Sequence, residues 1–153
     1  MAVPFQKRLQ RYVKESLDTL FSTTEFKRSA KKGITQAITV ACSDETTDLA
    51  TGNRLATFRM PYKMKLTEVR ASVTTAPEGS IIIVDIQVNR SQIFSGGLLE
   101  IQQFETTSVG QPKPPQLSVN ILDDNAEVTI DLIGVGSVVP GKGLKVTFIG
   151  QEY

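Results

Sequence analysis

Apolar residues recur along the chain with two different periods. Between Phe5 and Phe21 they fall at Phe5, Leu9, Tyr12, Val13, Leu17, Leu20 and Phe21, in steps of three and four that line one face of an α-helix. Pro4 suits the first turn of such a helix, where its missing N–H costs nothing. Ser22-Thr-Thr24 ends the pattern, and Gly33 closes the basic stretch that follows. Beyond Gly33 the period becomes two. A strand begins at Ile34, Ile38 and Val40, and residues 55–60, 66–73, 81–88, 117–121, 128–133 and 144–149 are again rich in Val, Ile, Thr and Phe, as strands are. Turn chemistry separates them at Thr51-Gly-Asn53, Ala76-Pro-Glu-Gly79, Asn89-Arg-Ser91, Gly96-Gly97, Asp123-Asp-Asn125 and Pro140-Gly-Lys-Gly143. Seven or eight short strands so spaced indicate an all-β sandwich or barrel. The expected fold is mainly β: a jelly-roll-like antiparallel β-sandwich over residues 33–153, with an N-terminal amphipathic α-helical arm over residues 1–32.

Two strands alternate cleanly enough to assign faces. Leu66, Glu68, Arg70 and Ser72 oppose Thr67, Val69, Ala71 and Val73, while Val84, Ile86 and Val88 alternate with Asp85, Gln87 and Asn89. Ile81-Ile-Ile-Val84 has no polar break, which places it mid-sheet and buried on both faces. Gln111-Pro-Lys-Pro-Pro115 cannot join a central ladder and reads as a stiff exposed connection. The N-terminal helix is marginal alone in water, because nucleation is costly and helices draw most of their stability from packing an apolar face. It must dock, either on its own sandwich or on a partner chain, and periodicity does not choose between them.

Charge sharpens the division. Residues 1–32 hold eight basic side chains against three acidic ones, a net +5, and the remaining chain holds nine against thirteen, a net −4. A positive arm on a mildly negative body points to contact with an acidic surface, a neighbouring copy included. The candidate partner-binding residues are therefore on the arm: Phe5, Arg8, Leu9, Arg11, Tyr12, Leu17, Phe21, Lys27, Arg28, Lys31 and Lys32. The cluster from Lys27 to Lys32 has only Phe26 beside it for stacking and no base-reading motif, which argues against nucleic acid as its partner. No run of about 18 apolar residues is present to span a bilayer. Met1 to Phe5 lacks the apolar core of a secretory signal, so a soluble chain with no export route and no membrane partner is expected.

The residues that carry chemistry are sparse. The sequence contains no His, which removes the commonest general base near neutral pH and the commonest transition-metal ligand. Cys42 stands alone, cannot form an intrachain disulfide, and reads as a small buried hydrophobe. Asp44, Glu45 and Asp48, and again Asp123, Asp124 and Glu127, lie in turns without the spacing of a Ca²⁺ loop. Gly134-Val-Gly136 and Gly141-Lys-Gly143 read as turns, since no helix follows to supply phosphate-binding N–H groups. No catalytic residue, metal or cofactor is expected, and the chain is read as a non-enzymatic building block.

Five segments carry a resemblance: Ile38-Thr-Val-Ala-Cys-Ser-Asp-Glu-Thr-Thr-Asp-Leu49, Ala56-Thr-Phe-Arg-Met-Pro-Tyr62, Leu66-Thr-Glu-Val-Arg-Ala-Ser-Val-Thr-Thr-Ala-Pro-Glu-Gly79, Val84-Asp-Ile86 and Gly143-Leu-Lys-Val-Thr-Phe-Ile-Gly150. Over roughly residues 33–150 the chain resembles a β-sandwich domain widespread in virion proteins of tailed bacteriophages. The resemblance implies a structural protein located in the virion, with the major capsid protein or other virion proteins as partners. One sandwich and one arm suit a capsid decoration (cement) protein, commonly a homotrimer, whose arm grips the shell. A tail fibre, baseplate or vertex adaptor would hold on in the same way. A carbohydrate-binding module is a third possibility, with Tyr62, Phe94, Phe104 and Tyr153 as candidate sugar platforms.

Overall fold

The computed structural model describes residues 5–20 and 34–153, with helix side chains described for residues 6–15. The chain divides into two compact units, residues 1–34 and 35–153. In the first, helix α1 spans Phe5–Leu20. No acidic residue sits in its first turn and no basic one in its last, so its charges are not arranged to complement the helix dipole.

The second unit is mainly β and entirely antiparallel, its sheets curling into a half-barrel. Its strands are β1 Thr35–Ala41, β2 Gly52–Arg59, β3 Met64–Ser72, β4 Ile82–Val88, β5 Ser91–Gln92, β6 Phe94–Ser95, β7 Leu99–Ile101, β8 Gln116–Leu117, β9 Ile121–Leu122, β10 Glu127–Gly134 and β11 Lys145–Glu152. One sheet runs in the order β1-β11-β3-β9; the other runs β2-β10-β4, with β5 and β7 both pairing β4, and β6 pairs β8 separately. The inner faces of the two main sheets feed one core. Met64, Leu66, Val69, Ala71, Val146 and Phe148 come from the first sheet, and Ile82, Val84, Ile86, Val128, Ile130 and Leu132 from the second. The ring of Phe58 on β2 meets that of Phe148 on β11 edge to face, centroids 5.5 Å apart, a favoured aromatic geometry.

β4 alternates as read from the sequence: Ile82, Val84, Ile86 and Val88 are buried, and the residues between them half-buried. Ile81-Ile-Ile-Val84 lies mid-sheet, but only one face is sealed, since Ile81 and Ile83 stay half-exposed. On β3 the face assignment needs correction. Ile149 pairs Glu68 whereas Gly150 pairs Leu66, so Thr67 is an extra residue on β3, a β-bulge. The bulge turns both Thr67 and Glu68 outward and brings Leu66 onto the core face with Val69 and Ala71. Thr67 Oγ1 donates to the Ile149 carbonyl at 3.0 Å, tying the bulge across the ladder.

Residues 117–121 do not form one strand. Gln116 and Leu117 pair β6, Ser118 N–H donates to the Ile93 carbonyl at 2.8 Å, and the chain then moves to β3 as β9. The expected turn at Thr51-Gly-Asn53 is instead the start of β2, with the irregularity displaced to Arg54, whose φ is 56°. Its N–H donates to Asp131 Oδ1 at 2.6 Å, and Gln87 Nε2 donates to Asp131 Oδ2 at 3.0 Å. This buried carboxylate therefore holds the β2–β10–β4 junction. Gln111, read as exposed, is buried; its Oε1 accepts from Glu100 N–H, and its Nε2 donates to the carbonyls of Leu98 and Lys113. Only Pro112 to Pro114 of that connection are exposed.

Candidate functional site

The helix displays the first candidate surface. Arg8, Leu9, Arg11 and Tyr12 all lie in α1 and are exposed, as is Val13; Tyr12 reaches 70%. Leu9, Tyr12 and Val13 are spaced to share one side of the helix, an apolar patch open to solvent beside Lys7, Arg8, Arg11 and Lys14. Phe5 and Leu17 lie within the helix backbone, but their side chains are outside the described residues. Phe21, Lys27, Arg28, Lys31 and Lys32 lie outside the described residues altogether. No helix among the described residues is long and apolar enough to cross a membrane.

A second surface forms where three loops of the β unit are stitched together. Phe104 N–H donates to the Pro77 carbonyl (2.9 Å), Val138 N–H to the Glu78 carbonyl (2.9 Å), and Gly79 N–H to Gln103 Oε1 (3.0 Å). The 77–79 turn is thus the shared post for the loops around residues 104 and 138. Each loop presents a large apolar side chain to solvent, Phe104 71% exposed and Val138 72%. Phe104 also holds φ at 65°, a left-handed conformation that costs a residue with a Cβ about 1–2 kcal/mol. Of the four candidate sugar platforms the structure retains two. Phe94 is buried, Tyr62 packs on the core, Tyr153 is exposed with Lys63 Nζ 5.2 Å from its ring centre, and Phe104 stands free.

A third feature is a break in the edge of the first sheet. Leu66 N–H donates to the Asn120 carbonyl at 2.7 Å. Further along β3, Ala71 N–H donates to Ser108 Oγ (2.9 Å), and Ser108 N–H to the Ala71 carbonyl (3.0 Å). Val69, two residues earlier, faces its backbone groups the same way as Ala71. There the covering chain parts, leaving a cleft of about 440 Å³ lined by Val69, Phe94, Leu99, Gln111, Pro115 and Leu117, among others. Glu68 is the one charged residue of its lining, and Arg70 neutralises it through two contacts of 2.7 and 2.8 Å, which also hold the Glu68 carboxyl below its ordinary range.

The acidic turns are occupied with their own structure. Asp44 Oδ1 accepts the N–H groups of Thr46 (2.8 Å) and Thr47 (2.6 Å), and these bonds lower its pKa from 3.8 to about 2. Glu45 is paired with Lys145, whose hydrogen bond lowers the Glu45 pKa; Asp48 meets Lys142 at 3.4 Å and Asp123 meets Lys63 at 3.3 Å. Among the described residues no group of three or more His, Cys, Asp or Glu is placed to hold a metal ion. Cys42 is buried, with its Sγ 3.6 Å from the Val40 carbonyl, and burial pushes its thiol up to about 11, far from the thiolate that reactive cysteines need.

No protein-family model, curated protein or solved structure matches the chain. In the sequence Phe104 stands out only as one of four candidate aromatics. No sequence signal marks its left-handed backbone, since Gly and Asn are the residues that usually announce such positions.

Proposed function

We propose that this chain is a structural component of a bacteriophage virion, a jelly-roll-like β-sandwich attached to the particle by its N-terminal helical arm, and that its place is decoration of the capsid shell. The observation that carries the reading is the apolar face of α1, with Leu9, Tyr12 and Val13 exposed. A helix gains little by keeping such a face in water, and a protein surface is the natural cover. The basic side chains beside it and the net +5 of residues 1–32 favour an acidic partner, here the major capsid protein. The resemblance over residues 33–150 supplies the virion context.

Strand order supports the finer fold assignment. Chain order alternates between the two sheets from β1 to β4, and the sheets run β1-β11-β3-β9 and β2-β10-β4, with the short β5 and β7 both on β4; with β7 taken as the fourth strand of the second sheet, this order matches a jelly roll, a fold that occurs in viral capsid and lectin domains. Fold alone does not assign function, so membership of the particle is the quantity to test. Quantitative mass spectrometry of purified virions gives the copy number relative to the major capsid protein. A count comparable with that protein is expected for shell decoration. A small fraction of it would move the chain to a tail or vertex adaptor, and absence from the particle would overturn the reading. Decoration proteins of this kind are commonly trimers, and a homotrimer is expected by light scattering.

A further inference from the structure

We infer that Phe104 is the stacking platform of a carbohydrate site at the loop end of the β unit. Three features meet at this residue. Its backbone is left-handed at φ 65° because it is the third residue of the turn that Glu105 N–H closes on the Gln102 carbonyl at 3.1 Å, a position that Gly or Asn takes more easily than Phe. Its side chain is 71% exposed, so burial does not offset that strain, and it makes no ring contact among the described residues. Other left-handed positions also sit in turns or at held junctions, but none of them carries an exposed aromatic ring. Asn89 and Arg90, at φ 50° and 69°, form the two-residue turn between β4 and β5, a turn type that requires positive φ at both positions, and Arg54 is held by Asp131. At Phe104 a costly backbone presents an aromatic ring to water, and strain of that kind is concentrated at functional sites.

The surroundings point to a sugar. A pyranose offers a C–H face for an aromatic ring and a rim of hydroxyls that need both donors and acceptors. Gln103, one residue before the ring, has its Oε1 fixed by Gly79 N–H at 3.0 Å, which orients the amide and leaves Nε2 to donate. Glu105, one residue after, is exposed with no ion pair among the described residues, leaving its carboxylate to accept. Val138 is exposed on the neighbouring loop, whose backbone is pinned to the same 77–79 turn. The site is an exposed loop tip, and it belongs to the β unit rather than to the helix face proposed above as the anchor.

The experiment is titration of the full-length protein with cellohexaose, chitohexaose and mannohexaose, followed by calorimetry and by NMR of the residue 102–106 amides, on wild type, Phe104→Gly, Phe104→Trp and Gln103→Ala. Binding to at least one oligosaccharide is expected, with Phe104→Gly weakening it about tenfold or more, Phe104→Trp keeping it, and Gln103→Ala weakening it. Phe104→Gly should unfold at or above the wild-type temperature, since it relieves a strained position. No binding to any of the three sugars would overturn the inference, as would equal binding by Phe104→Gly or a lowered Tm that marked the ring as part of the packing. Loss of self-association in Phe104→Gly without any sugar effect would also overturn it, by making the tip a protein interface. Particle membership is measured separately by copy number, so either reading can fail alone.

Discussion

Asp44 shows how much one exposed carboxylate can organise. Its side chain caps the N–H groups of Thr46 and Thr47, local bonding in which Asp replaces a missing backbone partner. The bonds favour the ionised form, so the folded pKa, about 2, lies below the ordinary 3.8. The sign follows from linkage: between these values the unfolded chain binds the proton and the folded one does not. The contribution is therefore fully present above about 3.8 and is lost as pH falls through about 2. Carbon-detected NMR should give an Asp44 titration midpoint near 2, and the stability difference between wild type and Asp44→Ala should stay constant down to about pH 4 and then shrink. A midpoint at 3.8 would show that the caps do not form. At this scale the sequence was readable in part. The turn at Asp44 and the buried role of Cys42 followed from residue type, whereas nothing in the sequence marks Asp131 within β10: Gln87 reaches it from the neighbouring β4, and the N–H of Arg54 reaches it where the β2–β10 register shifts.

At the scale of elements, the period of the sequence located β1, β4, β10 and β11 to within a few residues; β4 and β11 alternate with one sealed face, whereas β1 has no fully buried residue and β10 is buried on both faces from Val128 to Leu132. The period failed where chain geometry rather than composition decides. The bulge at Thr67 changes which side of β3 faces inward, and nothing in Leu66-Thr-Glu-Val69 announces it; the short strands β5 to β9 are two or three residues long, below the reach of any period. The partner of the bulge is Gly150, beside which a Cβ would fall well inside van der Waals contact with the Lys65 carbonyl oxygen and would press on Met64. Both are fixed, one by the backbone and the other by complete burial. Gly150→Ala should therefore destabilise the β unit by about 2–3 kcal/mol, in the range of overpacked cores, measured by urea denaturation. Gly52→Ala is the control, since nothing lies within 4 Å of its added Cβ. Equal stability for both variants would mean that the β3–β11 ladder adjusts without strain.

Over the whole molecule the two sequence periods correspond to two compact units, and each period reports a different requirement. The β unit closes its own core: the buried cluster and the apolar residues packed on it run from Ile38 to Phe148 among the described residues, with β1 and β11 joined over seven residue pairs. The helix instead leaves Leu9, Tyr12 and Val13 in solvent. What periodicity could not decide was the cover for that face, because amphipathicity specifies that a helix has an apolar side and never which surface meets it. The proposed role of the helix as an anchor makes a sharp prediction. A chain beginning at Gly33 keeps every residue of the β core, so its thermal midpoint should match that of the full-length protein, while its association with particles should be lost. Co-sedimentation with virions stripped of the native protein measures the second quantity and differential scanning calorimetry the first. A truncated chain that still sedimented with particles would transfer the attachment surface to the β unit, where the cleft beside Val69 is the next place to look. A truncated chain with a markedly lower midpoint would mean that the helix face is covered by its own β unit, removing the basis for an anchor.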